Sequence, residues 1–427
     1  MNVFSDPLYR KSLIIMVSSL VGGALNYLYN PLVARLLTTA QYGELLTMFA
    51  VLNVIAIPAN TNSILTTQFV SRYTAVGDER ASGYFVKRMY RQAWIAGAAL
   101  FVVFFMLTPL IQHFFHFSSG ITLVLLGISI PTAFIYPVVQ GVIQGRQQFM
   151  RLSVINLLGP AIKLIGVAIA MIIGFRLLGI VGLLGVGSIV MVYVAFLWAR
   201  LRSFPRTALT APPSTPELLR RGSYALLANI GLAILLNIDL FIAKRYLAPD
   251  LAGQYGTISL LGKAVFFFGG SLALVLFPMV LSRHAKNESS RSIIAKALSA
   301  IVLITISAVA LFALFSPFII RVLFGSRYLN FSSVLWLTGV VFGLYSVIHI
   351  LVTYFLATPS RRFLFPLLSG CFVIPLAFTM GPHTVQFLMY VMAATFTAIV
   401  FLLLFLLKSV RMNKDQLTPI TVIEPPL

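Results

Sequence analysis

Two ionisable residues stand inside apolar runs where water is scarce. Asp239 lies in Leu235-Leu236-Asn237-Ile238-Asp239-Leu240-Phe241-Ile242, and Lys263 lies in Leu260-Leu261-Gly262-Lys263-Ala264-Val265. A carboxylate in hydrocarbon must be paired, hydrated or protonated, so it can hold a cation, a proton or a neighbouring base. A lysine there is a point charge that can meet an anion, and its charge responds to desolvation. The two residues read either as working groups or as one structural ion pair, with Lys244 as the other cation Asp239 could take. Lys163, just after the Gly159-Pro160 break, is a second deep cation. Arg35 ends the first apolar run. Asn30 and Asn237, with Asn26, Asn53, Asn60, Asn62 and Asn229, offer amide groups that bind a polar guest or tie helices together.

Other chemistries lack their parts. The single cysteine, Cys371, rules out intramolecular disulfides and Cys-based metal sites. The five histidines have no ligand spacing, and neither a zinc-hydrolase motif nor a Gly-rich phosphate loop is present. No metal and no cofactor are therefore expected.

The elements that position these residues follow from composition. Of 427 residues, 59% are hydrophobic and only 10% charged, and mean hydropathy is +0.97. Soluble domains run to about 45–50% apolar and about 25% charged. Twelve apolar runs cover roughly 12–37, 42–67, 93–115, 120–143, 152–174, 178–199, 222–247, 252–280, 296–320, 331–356, 363–381 and 384–407. Each can cross a hydrocarbon core of ~30 Å. Helices are required, because a backbone exposed to lipid must satisfy its own hydrogen bonds. The expected fold is an all-α polytopic membrane protein.

Net charge is +21, which in a soluble protein would suggest nucleic acid. Here the basic residues sort by loop. Arg10, Arg72, Lys87, Arg146, Arg206, Arg283, Arg361 and Lys408, with their basic neighbours, fall in alternate loops. Arg35, Arg176, Lys244, Arg245, Arg321 and Arg327 fall on the other side. The asymmetry puts both termini in the cytoplasm and makes a nucleic-acid partner unnecessary. Membrane lipids are the expected contacts of the basic loops, and Arg80–Arg91 reads as an interfacial amphipathic helix. Asp239 then lies in the outer third of its span, and Lys263 near mid-bilayer.

Residues 201–221 contain Pro205, Pro212, Pro213 and Pro216 and read as a cytoplasmic linker. The linker separates a six-helix lobe at 1–200 from a second at 222–411, and 412–427 reads as a disordered tail. The halves repeat. Val33-Ala34-Arg35-Leu36-Leu37 leads to Gln41-Tyr42-Gly43, and Ile242-Ala243-Lys244-Arg245-Tyr246-Leu247 leads to Gln254-Tyr255-Gly256. Downstream, Phe69-Val70-Ser71-Arg72 parallels Val280-Leu281-Ser282-Arg283. Six spans per half give both copies the same orientation, a parallel repeat. The alignment places Asn30 opposite Asp239.

These repeated residues carry a resemblance. Ala34-Arg35-Leu36-Leu37 with Gln41-Tyr42-Gly43, then Asn237-Ile238-Asp239-Leu240-Phe241-Ile242-Ala243-Lys244, Ala252-Gly253-Gln254-Tyr255-Gly256, Leu261-Gly262-Lys263 and Leu276-Phe277-Pro278, resemble polysaccharide-biosynthesis flippases of the Wzx type. Those belong to the multidrug/oligosaccharidyl-lipid/polysaccharide exporter superfamily. The resemblance implies two six-helix lobes around a central cavity, and alternating-access export of undecaprenyl-pyrophosphate-linked oligosaccharide across the inner membrane. It further implies an H+ or Na+ gradient as energy source, and a polysaccharide polymerase and chain-length regulator as partners. Under it, Lys263, Lys163 and Arg35 are the substrate-binding candidates. Asp239, Asn30, Asn237 and Lys244 are the coupling or gating candidates. The rivals are a multidrug/cation antiporter of the same superfamily and a membrane-embedded glycan ligase or transferase. An antiporter generally carries carboxylates in its lobes, and the first lobe is expected to have none inside its spans. A transferase generally needs long outer loops, and these are short.

Overall fold

The computed structural model describes residues 7–174, 176–199, 215–285, 291–356 and 361–409. Most of the expected linker, at 201–214, and the expected tail at 412–427 lie outside the described residues. Among the described residues every regular element is helical and there is no strand. The chain divides into two compact units, Met1–Gly222 and Ser223–Leu427.

The first unit contains α1 (Pro7–Leu36), α2 (Thr39–Ile55), α3 (Ile57–Ala75), α4 (Glu79–Phe115), α5 (Gly120–Gly127), α6 (Ser129–Gly145), α7 (Phe149–Ile173) and α8 (Leu177–Ala199). The second contains α9 (Thr215–Tyr246), whose first turns precede the boundary, then α10 (Pro249–Ala285) and α11 (Arg291–Leu323). A 3-10 segment (Ser326–Val334), α12 (Leu335–Leu356), α13 (Leu364–Thr379) and α14 (Val385–Ser409) complete it. With α5 and α6 counted together as one span, eight spans among the described residues are long and apolar enough to cross a membrane, or nine with the bent pair α2–α3 taken as one. The protein is a multi-pass membrane protein.

The breaks have a common cause. The run expected at 42–67 as one helix is two, α2 and α3, bent by 48°. Its break at Ala56 comes two residues before Pro58. The break between α5 and α6 at Ile128 precedes Pro131 by three residues, and the kink inside α11 at Phe315 precedes Pro317 by two. Proline removes a backbone donor and crowds the preceding turn, so the helix gives way just upstream.

Two expectations about the cytoplasmic side change. Arg80–Arg91 is not a separate interfacial helix, because it forms the start of α4, which runs unbroken to Phe115. Phe85, Val86 and Met89 on that stretch are buried, which docks it on its own unit. Asp78 starts this helix by accepting the Ala81 N–H at 2.9 Å. Gly77 precedes it at φ +72°, in the left-handed region. The expected linker is also shorter, since residues 215–221 already belong to α9.

The sequence repeat has a structural counterpart. The Leu37 N–H donates to Val33 O at 3.0 Å where α1 ends, and Leu247 donates to Ala243 O at 3.0 Å where α9 ends. Tyr42 then donates to Thr38 O, and Ala252 to Ala248 O, each at 2.9 Å. Both turns are two residues long, so each helix is followed by an antiparallel neighbour. That arrangement sets Asp239, near the end of α9, beside the first half of α10.

Candidate functional site

Tyr255, Ser259 and Lys263 recur every fourth residue on α10, so they share one face. All three point at one carboxylate. Lys263 Nζ lies 3.2 Å from Asp239 Oδ1. The Tyr255 hydroxyl donates to Asp239 Oδ2 at 2.9 Å, and the Ser259 hydroxyl donates to the same oxygen. Helical side chains lean toward their helix N-terminus. The α10 ladder therefore tilts toward the α9–α10 turn, where Asp239 waits. Asp239 is fully buried and Lys263 nearly so. Beyond their mutual contact, Nζ and Oδ1 have no hydrogen-bond partner.

The aromatic face of α12 closes the other side. Lys263 Nζ sits 5.6 Å from the Phe342 ring centroid, within cation–π range. Gly262 makes this possible, since a Cβ there would stand 2.5 Å from Phe342 Cδ2. α10 and α12 can approach closely only because that side chain is missing.

The first unit is built differently. Lys163 on α7 donates from Nζ to Asn26 Oδ1 of α1 at 3.1 Å, and it lies 6.0 Å from the Phe49 ring centroid. Close approach again depends on a glycine, because a Cβ on Gly22 would stand 2.9 Å from Asn156 O. No carboxylate among the described residues pairs with Lys163. One deep lysine is thus neutralised, and the other is held by a neutral amide.

The remaining candidates scatter. Asn30 donates to the Asn26 carbonyl, four residues back on its own helix, at 3.3 Å. Asn237 does the same to Ala233 O at 2.9 Å, and Asn229 to Ala225 O at 2.8 Å. These three side chains bond along their own helices, and the asparagine that reaches across to another helix is Asn26. Lys244 is buried, but the ion pair that Asp239 makes is with Lys263. Arg35 is exposed in the last turn of α1. Glu44, near the start of the run expected at 42–67, is a buried residue of α2. It accepts from the Ser118 N–H at 3.0 Å and the Ser118 hydroxyl at 2.9 Å. The first unit therefore does hold a carboxylate inside a helix, contrary to expectation, and it ties α2 to the α4–α5 turn. Ser259 and Phe342 were not singled out from the sequence, and Tyr255 stood there as part of a repeated turn and not as a partner of Asp239. The spacing of Tyr255, Ser259 and Lys263 was the signal that could have found Tyr255 and Ser259 as its partners.

A family model described as polysaccharide biosynthesis protein matches residues 32–333. The chain belongs to that family. Among curated proteins, none matches it in sequence. Among solved structures it is similar to an inward-facing multidrug resistance MATE family transporter of the MOP superfamily. That match has TM-score 0.74 and 13% identity, covering 92% of this chain and 98% of the other. The lipid II flippase MurJ in an inward closed conformation matches with TM-score 0.68 and 15% identity, over 93% of this chain and 87% of that one. A MOP superfamily transporter from Pyrococcus furiosus Vc1, whose structure is described as having a binding pocket of reverse polarity, matches with TM-score 0.64 and 13% identity, over 93% and 96%. This polysaccharide-biosynthesis family member therefore has the MOP superfamily fold. At these identities the likeness establishes the fold alone, and fold does not choose among functions.

Proposed function

We propose that the protein is a flippase that moves undecaprenyl-pyrophosphate-linked oligosaccharide from the cytoplasmic to the outer leaflet of the inner membrane by alternating access. The observation that carries this reading is the uncompensated charge of Lys163. A cation within a membrane span is costly unless something neutralises it, and here its partners are an amide oxygen and an aromatic ring. An anionic headgroup arriving at Lys163 completes the site. The diphosphate provides that charge, while the prenyl tail can stay in lipid and Asn26 offers a further amide to phosphate or sugar. Arg35, exposed at the end of α1 on the side expected to face outward, is a cation the headgroup meets as it leaves. Lys263 has its charge taken up by Asp239, so this reading gives it a smaller share of anion binding.

The same observation weighs against the multidrug/cation rival, because a bare ammonium repels a cationic drug. Family membership in polysaccharide biosynthesis supports a glycan-bearing cargo. The lipid II flippase among the structural neighbours supports a lipid-linked one. Translocation driven by an ion gradient fits a protein with no nucleotide-binding loop in its sequence. The test is glycan orientation in intact spheroplasts, read by lectin or periodate accessibility. Deletion of the protein leaves the lipid-linked glycan facing the cytoplasm. Unchanged outward exposure, in a strain with no other flippase, contradicts the proposal.

A further inference from the structure

A third ionisable side chain lies on the α10–α12 seam and has no part in the site above. These two helices run in parallel. Gly262 faces Thr338 and Phe342, and one turn later Phe266 faces Tyr345 and His349. The His349 ring lies 5.2 Å from Phe266 in a T-shaped contact and 6.4 Å from Tyr345. Its Nδ1 is buried and has no hydrogen-bond partner. A buried polar atom left in that state opposes stability and calls for an explanation.

The groups around it are few. α10 contributes Lys263, one turn before Phe266, and α9 contributes Asp239, which holds that lysine. α12 adds Tyr345, whose hydroxyl donates to Leu232 O of α9 at 2.8 Å. α13 adds Cys371, with Sγ 3.7 Å from Gly231 O. α11 carries an exposed Lys296, and α14 brings the Phe396 ring to 6.0 Å from Tyr345. None of these accepts a proton from His349. An imidazolium needs an acceptor for each N–H, and the closed seam has none at Nδ1. A conformer that lets water reach the seam supplies one.

We infer that His349 carries the coupling proton: water protonates Nδ1 when the α10–α12 seam opens, and the proton returns to water when the seam closes. This inference rests on reading the chain as a transporter. It selects H+ as the driving ion, since a proton that binds only the open seam shifts the population toward it. Histidine suits the task because its ordinary titration range spans neutral pH. No bond to the cargo forms or breaks.

The chain carries its own reporter. Cys371 is the sole cysteine, and its contact at Gly231 adjoins the Tyr345–Leu232 bond, one turn along α12 from His349. Opening at His349 strains that bond and exposes the thiol. Maleimide labelling of the whole protein in nanodiscs is measured at pH 5.5 and 7.5, on either side of the ordinary imidazole value of about 6.5. Each rate is divided by that of the denatured chain at the same pH, which cancels the thiolate fraction. The wild-type ratio rises several-fold at pH 5.5. In His349→Phe, which keeps a ring against Phe266, and in His349→Gln, it stays at the neutral-pH level. A wild-type ratio that is flat with pH, or an acid rise that survives either variant, overturns the inference. No cargo is needed, so this result stands apart from the test of the flippase.

Discussion

Asp239 and Lys263 close on each other at 3.2 Å in the interior of the second unit, with Tyr255 and Ser259 completing the carboxylate's shell. Breaking such a pair from one side leaves a bare charge, which costs about 3–5 kcal/mol, whereas replacing both members with apolar residues is often neutral. Lys263→Gln and Asp239→Asn are therefore expected to lower the amount of membrane-inserted protein and its unfolding temperature. Asp239→Leu combined with Lys263→Met is expected to recover both. Thermal unfolding in detergent measures this, and two silent single variants would show that the pair carries no such weight.

Tyr255→Phe removes one donor to the same carboxylate and leaves the ring. A hydrogen bond to a charged group contributes about 1.5–3 kcal/mol. The expected outcome is a lower unfolding temperature with normal membrane insertion. Equal unfolding temperatures for Tyr255→Phe and wild type would mean that Ser259 and Lys263 alone satisfy Asp239.

Gly262→Ala tests the close approach of α10 and α12. The new methyl group would meet Phe342 at 2.5 Å, and overpacking of this kind typically costs about 1–3 kcal/mol. Gly23 is the control, because a methyl group there would have nothing within 4 Å, and Gly23→Ala is expected to be silent. Unfolding temperatures of the two variants should separate clearly.

Orientation is tested by reporter fusions. Those after residues 40, 117, 248 and 328 are expected outside, and those after 80 and 148 in the cytoplasm, from the sorting of basic residues among loops. Fusions after 40 and 80 that report the same side would break the assignment of the first spans.

The sequence carries some of these relationships and hides others. An all-helical membrane fold follows from the apolar runs, because nothing else satisfies a backbone in lipid. The α9–α10 turn is legible as a repeat of the α1–α2 turn. The choice of Lys263 over Lys244 was also within reach. Lys244 is five residues after Asp239 on one helix, which is off its face, whereas Lys263 lies two turns beyond Tyr255 on the next helix. Helix breaks at Ala56 and Phe315 could have been placed from Pro58 and Pro317. The Lys163–Asn26 contact could not, since it depends on how closely α1 and α7 approach at Gly22. A lone histidine in an apolar run likewise gives no sign of its neighbours until Phe266 and Tyr345 are packed around it.

Lys163 is the residue on which anion translocation depends most. Purified protein in liposomes is given an undecaprenyl pyrophosphate bearing a single labelled sugar, and movement of the probe between leaflets is timed by an impermeant quencher. Loss of one charged contact of about 1.5–3 kcal/mol corresponds to a drop of about 10–150-fold. Lys163→Gln is therefore expected to fall by that factor at normal protein level, while Lys163→Arg keeps part of the rate. Wild-type rates in Lys163→Gln would rule out Lys163 as the anion-binding cation.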